Sequence, residues 1–140
     1  MKDYYPKIAK RKLPQDVYLR SLNTVRALPR LKEKANDLLE ENFKQEVKVQ
    51  TTNRKNSPTE MKAMRREKTL KEIENIEKAF DTIPEEYRSM IVDNIINRTK
   101  MDYITGASIK TISRMRLKVL IEVAHNTGLI DDFEYKEALK

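Results

Sequence analysis

Residues 99–120 read TKMDYITGASIKTISRMRLKVL, and the fold turns on how this stretch is read. Gly106 stands where a tight turn requires positive φ, and Ser108 follows as a candidate N-cap. Beyond it Ile112, Met115, Val119 and, at the edge, Leu120 recur at spacings of three and four, so they trace one face of a helix. The opposite face holds Lys110, Thr111, Ser113, Arg114 and Lys118. Upstream, Met101 and Ile104 would form the inward side of a short first helix. A short helix, a glycine turn and a second helix whose first two turns are polar and basic make the helix-turn-helix pattern. Any helical hairpin with a glycine turn shares that outline, and charge is what separates the two readings. Residues 98–118 carry six Lys and Arg (Arg98, Lys100, Lys110, Arg114, Arg116 and Lys118) against the single acid Asp102.

The chemistry of that block points to duplex DNA as the partner. The first turns of a recognition helix must place short donors and long cations at base edges and phosphates. Ser108, Lys110, Thr111, Ser113, Arg114 and Lys118 supply both kinds. A helix N-terminus adds a partial positive charge of its own towards phosphate. Arg114 is the residue expected to reach a guanine edge or the backbone, with Lys110 and Thr111 next to it. Arg98, Thr99 and Lys100, at the start of the first helix, are expected to clamp phosphate.

Outward from this block, charge is distributed unevenly. Residues 1–34 carry a net +7, residues 35–97 a net −2, residues 98–118 a net +5 and residues 119–140 a net −3. The chain's 29 Lys and Arg against 22 Asp and Glu therefore form two basic blocks around a nearly neutral middle, followed by an acidic tail. A basic balance of this kind suits an anionic partner. With 140 residues, the chain has the length of one domain, or of a small domain with an extension. Two glycines leave little turn chemistry for hairpins, which argues against a sandwich or barrel. The mean hydropathy is −0.76, no stretch reaches the roughly 18 apolar residues of a membrane span, and no signal-like apolar run follows Met1. The absence of cysteine excludes disulfides, a thiol nucleophile and zinc-thiolate sites. The expectation is an all-α protein, a helical bundle, located in the cytoplasm.

Four segments follow from the pattern. Residues 1–43 read as a loosely ordered basic arm (1–13) followed by helices. The first of these runs from Gln15 with Val17, Tyr18, Leu22, Val25 and Leu28 on one face, until Pro29 ends or kinks it. The second runs from about Arg30 to Phe43. Residues 44–57 are polar and aperiodic and read as a linker. Residues 58–130 form the DNA-binding domain with a long lead-in helix. Ser57-Pro58-Thr59-Glu60 has the form of a capping box with proline at the first helical position, so this helix is expected from Pro58 to about Phe80. Thr82-Ile83-Pro84-Glu85 has the same form, and the helix after it carries Tyr87, Met90, Ile91, Val92, Ile95 and Ile96. So broad a stripe predicts burial on two sides, at the centre of the bundle. Residues 131–140 form the acidic tail, with a short helix from Phe133 to Leu139.

Two of these segments, taken together, resemble a known pattern. Ile83-Pro84-Glu85-Glu86-Tyr87-Arg88, followed about twenty residues on by Gly106-Ala107-Ser108-Ile109-Lys110-Thr111-Ile112-Ser113-Arg114, is similar to the last helical domain of sigma factors. With residues 57–63 and the closing Leu120-Ile121-Glu122-Val123-Ala124-His125-Asn126-Thr127-Gly128-Leu129, it resembles the phage and prophage transcriptional regulators typified by RinA and ArpU. The resemblance covers roughly residues 57–130. It implies a sigma-like C-terminal helix-turn-helix and a sequence-specific activator of phage late genes for packaging and lysis, working beside host RNA polymerase in the nucleoid. Thr105, Asp102, Lys110 and Ser113 depart from the family pattern, so no base preference is carried over.

Other classes remain open. A phage DNA-packaging subunit of the small-terminase kind also joins a helix-turn-helix to helices for ring assembly, though it commonly places the DNA-binding part first. A helical interaction protein without a DNA role would use the 58–80 helix as its partner surface. An enzyme is disfavoured. His125, the single histidine, reads as a capping or surface residue, and no phosphate loop, nucleophile set or metal-spaced cluster accompanies it. No cofactor or metal is expected. A homodimer would double the few bases that one recognition helix reads.

Overall fold

The computed structural model describes residues 6–10, 12–48, 58–99 and 108–140, with side chains for all of these except 40–48, 58 and 59. Among the described residues every regular element is a helix: α1 Lys7–Lys10, α2 Gln15–Arg26, α3 Leu28–Lys48, α4 Pro58–Phe80, α5 Glu85–Ile95, α6 Ile109–Asn126 and α7 Asp132–Ala138. The chain is an all-α helical bundle, and no helix among the described residues is long and apolar enough to cross a membrane.

The elements group into two compact units, one of residues 28–74 and the other of residues 1–27 with 75–140. This grouping differs from the linear division expected above. The boundary falls inside α4, and α2 joins the C-terminal helices because it packs against α6 and α5. In the smaller unit, Leu28, Leu31, Ala35 and Leu38 of α3 are buried at alternating spacings of three and four, as are Thr69 and Ile73 of α4. Arg66 Nε donates to the Ala35 carbonyl at 3.3 Å, joining the two helices.

In the larger unit α6 is the element on which α2, α5 and α7 all pack. Its second half is the most deeply buried part, with Leu117 and then every residue from Val119 to Ala124 buried and Lys118 exposed between them. The central position expected for α5 therefore belongs to α6, although α5 does lie against both α2 and α6. From α2, Val17, Tyr18, Ser21, Leu22 and Val25 are buried, and Arg26 Nε donates to the Ile95 carbonyl at the end of α5.

Several boundaries depart from the sequence reading, each for a local reason. Pro29 lies in the first turn of α3 rather than ending α2, because a residue there needs no intrahelical N–H donor. The break falls two residues earlier, at Ala27, whose N–H still bonds back to α2 carbonyls. Helix α3 continues through Lys48, five residues into the expected linker; residues 49–57, including the Ser57 cap, lie outside the described residues. Helix α4 has the expected bounds. Thr82 does not cap α5. Its hydroxyl turns back to the Ala79 carbonyl at 2.7 Å, and Pro84 precedes α5 with no side-chain cap bond. Arg88 completes this reversed arrangement: its Nε reaches the Phe80 and Ile83 carbonyls at 3.1 and 3.2 Å, and its Nη2 the Asp81 carbonyl. The Pro-x-x-x-Arg spacing thus lets the first turn of α5 satisfy the orphan carbonyls at the end of α4.

The basic arm is ordered where it is described. Ala9 and Leu13 are buried, and the Lys12 ammonium donates to the carbonyls of Ala138 and Lys140 at 3.1 and 2.9 Å. Residues 1–5 and Arg11 lie outside the described residues. The expected acidic tail is likewise docked. Asp131 and Glu134 form a reciprocal capping box that starts α7 at Asp132, and Ala138 is buried.

Candidate nucleic-acid interface

Helix α6 begins at a serine because a hydroxyl can take the place of a missing backbone acceptor. Ser108 Oγ accepts from the Thr111 N–H at 3.2 Å and shares a hydrogen bond with Thr111 Oγ1 at 2.9 Å. Two of the three hydroxyls assigned to base reading are thus engaged with each other at the cap. Ser113 is half-buried.

The cations fare differently. Lys110, Arg114 and Lys118 are all exposed, and no side-chain hydrogen bond or ion pair joins them to another described residue. Their spacing of four places them in one row along α6. The backbone N–H groups of the first turn add positive potential at the Lys110 end of that row. The row starts on the least enclosed part of α6 and ends at Lys118, where enclosure sets in: of residues 108–116 only Ile112 is fully buried, whereas burial is continuous from Val119 to Ala124. The helix is anchored by its rear half and presents its front half. Ile109, 60% exposed beside the N-cap, adds an apolar side chain to that front, which the sequence reading did not single out.

The expected phosphate clamp is divided. Arg98 is exposed and sits at φ +55°, a left-handed conformation that an L side chain adopts at a cost of about 1–2 kcal/mol. Thr99 is half-buried and tied by its backbone, its N–H to the Asp93 carbonyl at 3.1 Å and its carbonyl to Asn94 Nδ2 at 2.9 Å. Lys100 lies outside the described residues, as do Met101, Asp102, Ile104, Thr105 and the Gly106 turn of the expected first helix.

Two side chains that the sequence reading passed over hold this region. Asn94, buried at the end of α5, accepts from Arg116 Nη1 at 2.6 Å through the carbonyl of the same side chain whose amide holds Thr99. Arg116 is thereby turned to a structural role, while Lys110, Arg114 and Lys118 stay outward. An isolated asparagine and an arginine within a basic run carry no periodic signal that would have marked them.

At its far end α6 stops at Asn126, and the chain turns away at Gly128. The Leu129 N–H bonds to the Ala124 carbonyl and the Gly128 N–H to the His125 carbonyl, with φ +80° at the glycine. His125 Nε2 donates to Asp132 Oδ1 at 2.8 Å, and its ring stacks on Tyr135 with centroids 4.0 Å apart. That hydrogen bond, with the charge beside it, holds the Asp132 carboxyl below the usual carboxylate range. Tyr135 donates to Glu122 Oε1, and this bond, with burial and the neighbouring carboxylate, pushes the phenol up to about 12. These contacts seat α7 on α6, and they account for His125 as a structural residue. No group of three or more His, Asp or Glu able to hold a metal occurs among the described residues. Comparison of the chain with family models, with curated proteins and with solved structures returned no match.

Proposed function

We propose that this chain is a sequence-specific DNA-binding transcriptional regulator that enters a duplex groove with the first half of α6. One observation carries the reading: Lys110, Arg114 and Lys118 form an outward row without carboxylate partners among the described residues, along a helix that is buried continuously only beyond that row, from Val119 to Ala124. Cations in such a row neutralise backbone phosphates, and arginine alone among them can also make a paired contact to guanine. The exposed Ile109 suits a thymine methyl group. The resemblance to the RinA and ArpU regulators supports the finer reading, an activator of phage or prophage late genes acting beside host RNA polymerase in the bacterial cytoplasm.

Fluorescence anisotropy with a random duplex tests binding, and selection from a random duplex pool tests specificity. Binding should weaken steeply with salt. Three phosphate contacts give a log–log slope of about −3, at about −0.9 per neutralised phosphate. Selection should then return a recurrent sequence. Absence of binding at low salt, or binding that salt does not weaken, overturns the reading.

A further inference from the structure

Arg114 and Lys118 do more than face outward, since they line one side of an open groove of about 280 Å³. Leu117 and Ile121 of α6, Ile8 of α1, Ala138 of α7 and Leu139 after it supply its apolar lining. Lys12 is the remaining charged group at its edge, so every ionisable side chain in the lining is positive. Sites for small ligands usually enclose roughly 300–1,000 Å³ and bury most of the ligand. A groove at the bottom of that range that lies open to solvent cannot enclose a small ligand, and is better matched to one large side chain presented by a protein surface.

The same unit carries a surface of opposite character. Phe133, in the first turn of α7, is 72% exposed, the most exposed large apolar side chain among the described residues. Asp131, Asp132 and Glu134 surround it in sequence, and all three are exposed. An exposed aromatic side chain flanked in sequence by carboxylates is the complement, in polarity and in charge, of an apolar groove edged by cations.

We propose that the Phe133 end of α7 docks into the α1–α6–α7 groove of a second copy of this chain. The ring would lie against Ile8 and the exposed Leu139, and the carboxylates would face Arg114 and Lys118. The contact belongs to the small, weak class of interfaces, with Phe133 as its anchor. Its charge complementarity makes it sensitive to added salt. It does not rest on DNA binding, and its test contains no DNA.

The experiment is sedimentation of the purified chain over a concentration series at low salt. The parent chain should exceed its monomer mass of 16.6 kDa as concentration rises, and added salt should reverse this. Phe133→Ala and Lys118→Glu, both at exposed positions, should each weaken association about tenfold or more. Mixing the two variants should restore it, because one retains the groove and the other retains the ring. A parent chain that stays monomeric throughout, a Phe133→Ala chain that associates like the parent, or a mixture that does not recover overturns the proposal.

Discussion

The side-chain carbonyl of Asn94 on α5 accepts a hydrogen bond from the Arg116 guanidinium on α6 at 2.6 Å. The amide of the same residue donates to the Thr99 carbonyl, so one buried side chain secures both the exit from α5 and the helix that bears the cation row. Asn94→Ala removes both bonds and leaves two groups without partners. It should cost about 1–3 kcal/mol, read as a lower urea midpoint at unchanged slope. Asn94→Asp retains an acceptor for Arg116 and loses only the donor to Thr99, so its loss should be smaller. Equal losses in the two variants would show that the Arg116 bond contributes nothing.

Within the cation row, Arg114 and Lys118 should differ in kind. Arg114→Ala should cost about 1–3 kcal/mol on a selected site and relax preference at one position. Lys118→Ala should weaken all duplexes alike and make the salt slope shallower by about one. Competition assays between selected and random duplex separate the two effects. Unchanged specific affinity in Arg114→Ala would remove α6 from the role of reading helix.

The N-terminal segment should matter for folding. Leu13 is 2% exposed and Lys12 holds two carbonyls at the chain's other end. Leu13→Ala should cost about 2–5 kcal/mol in chemical denaturation, the range for a buried leucine. A chain with wild-type stability after this change would return the segment to the role of a dispensable arm.

Alkaline pH should loosen α7. The Tyr135 phenol ionises near pH 10 in an unfolded chain and only at about 12 when folded against Glu122. Folding thus favours the protonated phenol. Its contribution is complete below pH 10 and is lost as pH rises towards about 12. Tyr135→Phe lacks that ionisation, so the stability difference between the two chains should change over this interval and stay level below it. A difference that is constant across the interval would mean that the phenol does not couple to folding.

How much of this was legible in the sequence depended on distance along the chain. The all-α class, the bounds of α4 and the outward row on α6 could be read directly, because helical period and proline placement act within a turn or two. The short helix expected from Phe133 to Leu139 was equally local and forms as Asp132–Ala138, while the Asp131–Glu134 capping box that starts it is obscured in the sequence by the run of adjacent carboxylates. Thr82 shows the converse. Its place before Pro84 has the form of an N-cap, yet two helix ends compete for the same hydroxyl, and the carbonyl of Ala79 takes it.

Local pattern by itself determined that this chain forms helices, and that one of them turns basic side chains to the outside. Only the tertiary structure decided which helix lies at the centre, that α2 belongs with α6, and that Lys12 meets a carbonyl 126 positions away at Ala138. The reason is physical. A helix face records that it must be buried but not against what, and the partner is chosen by shape and by unpaired backbone groups that come together only when the chain has folded.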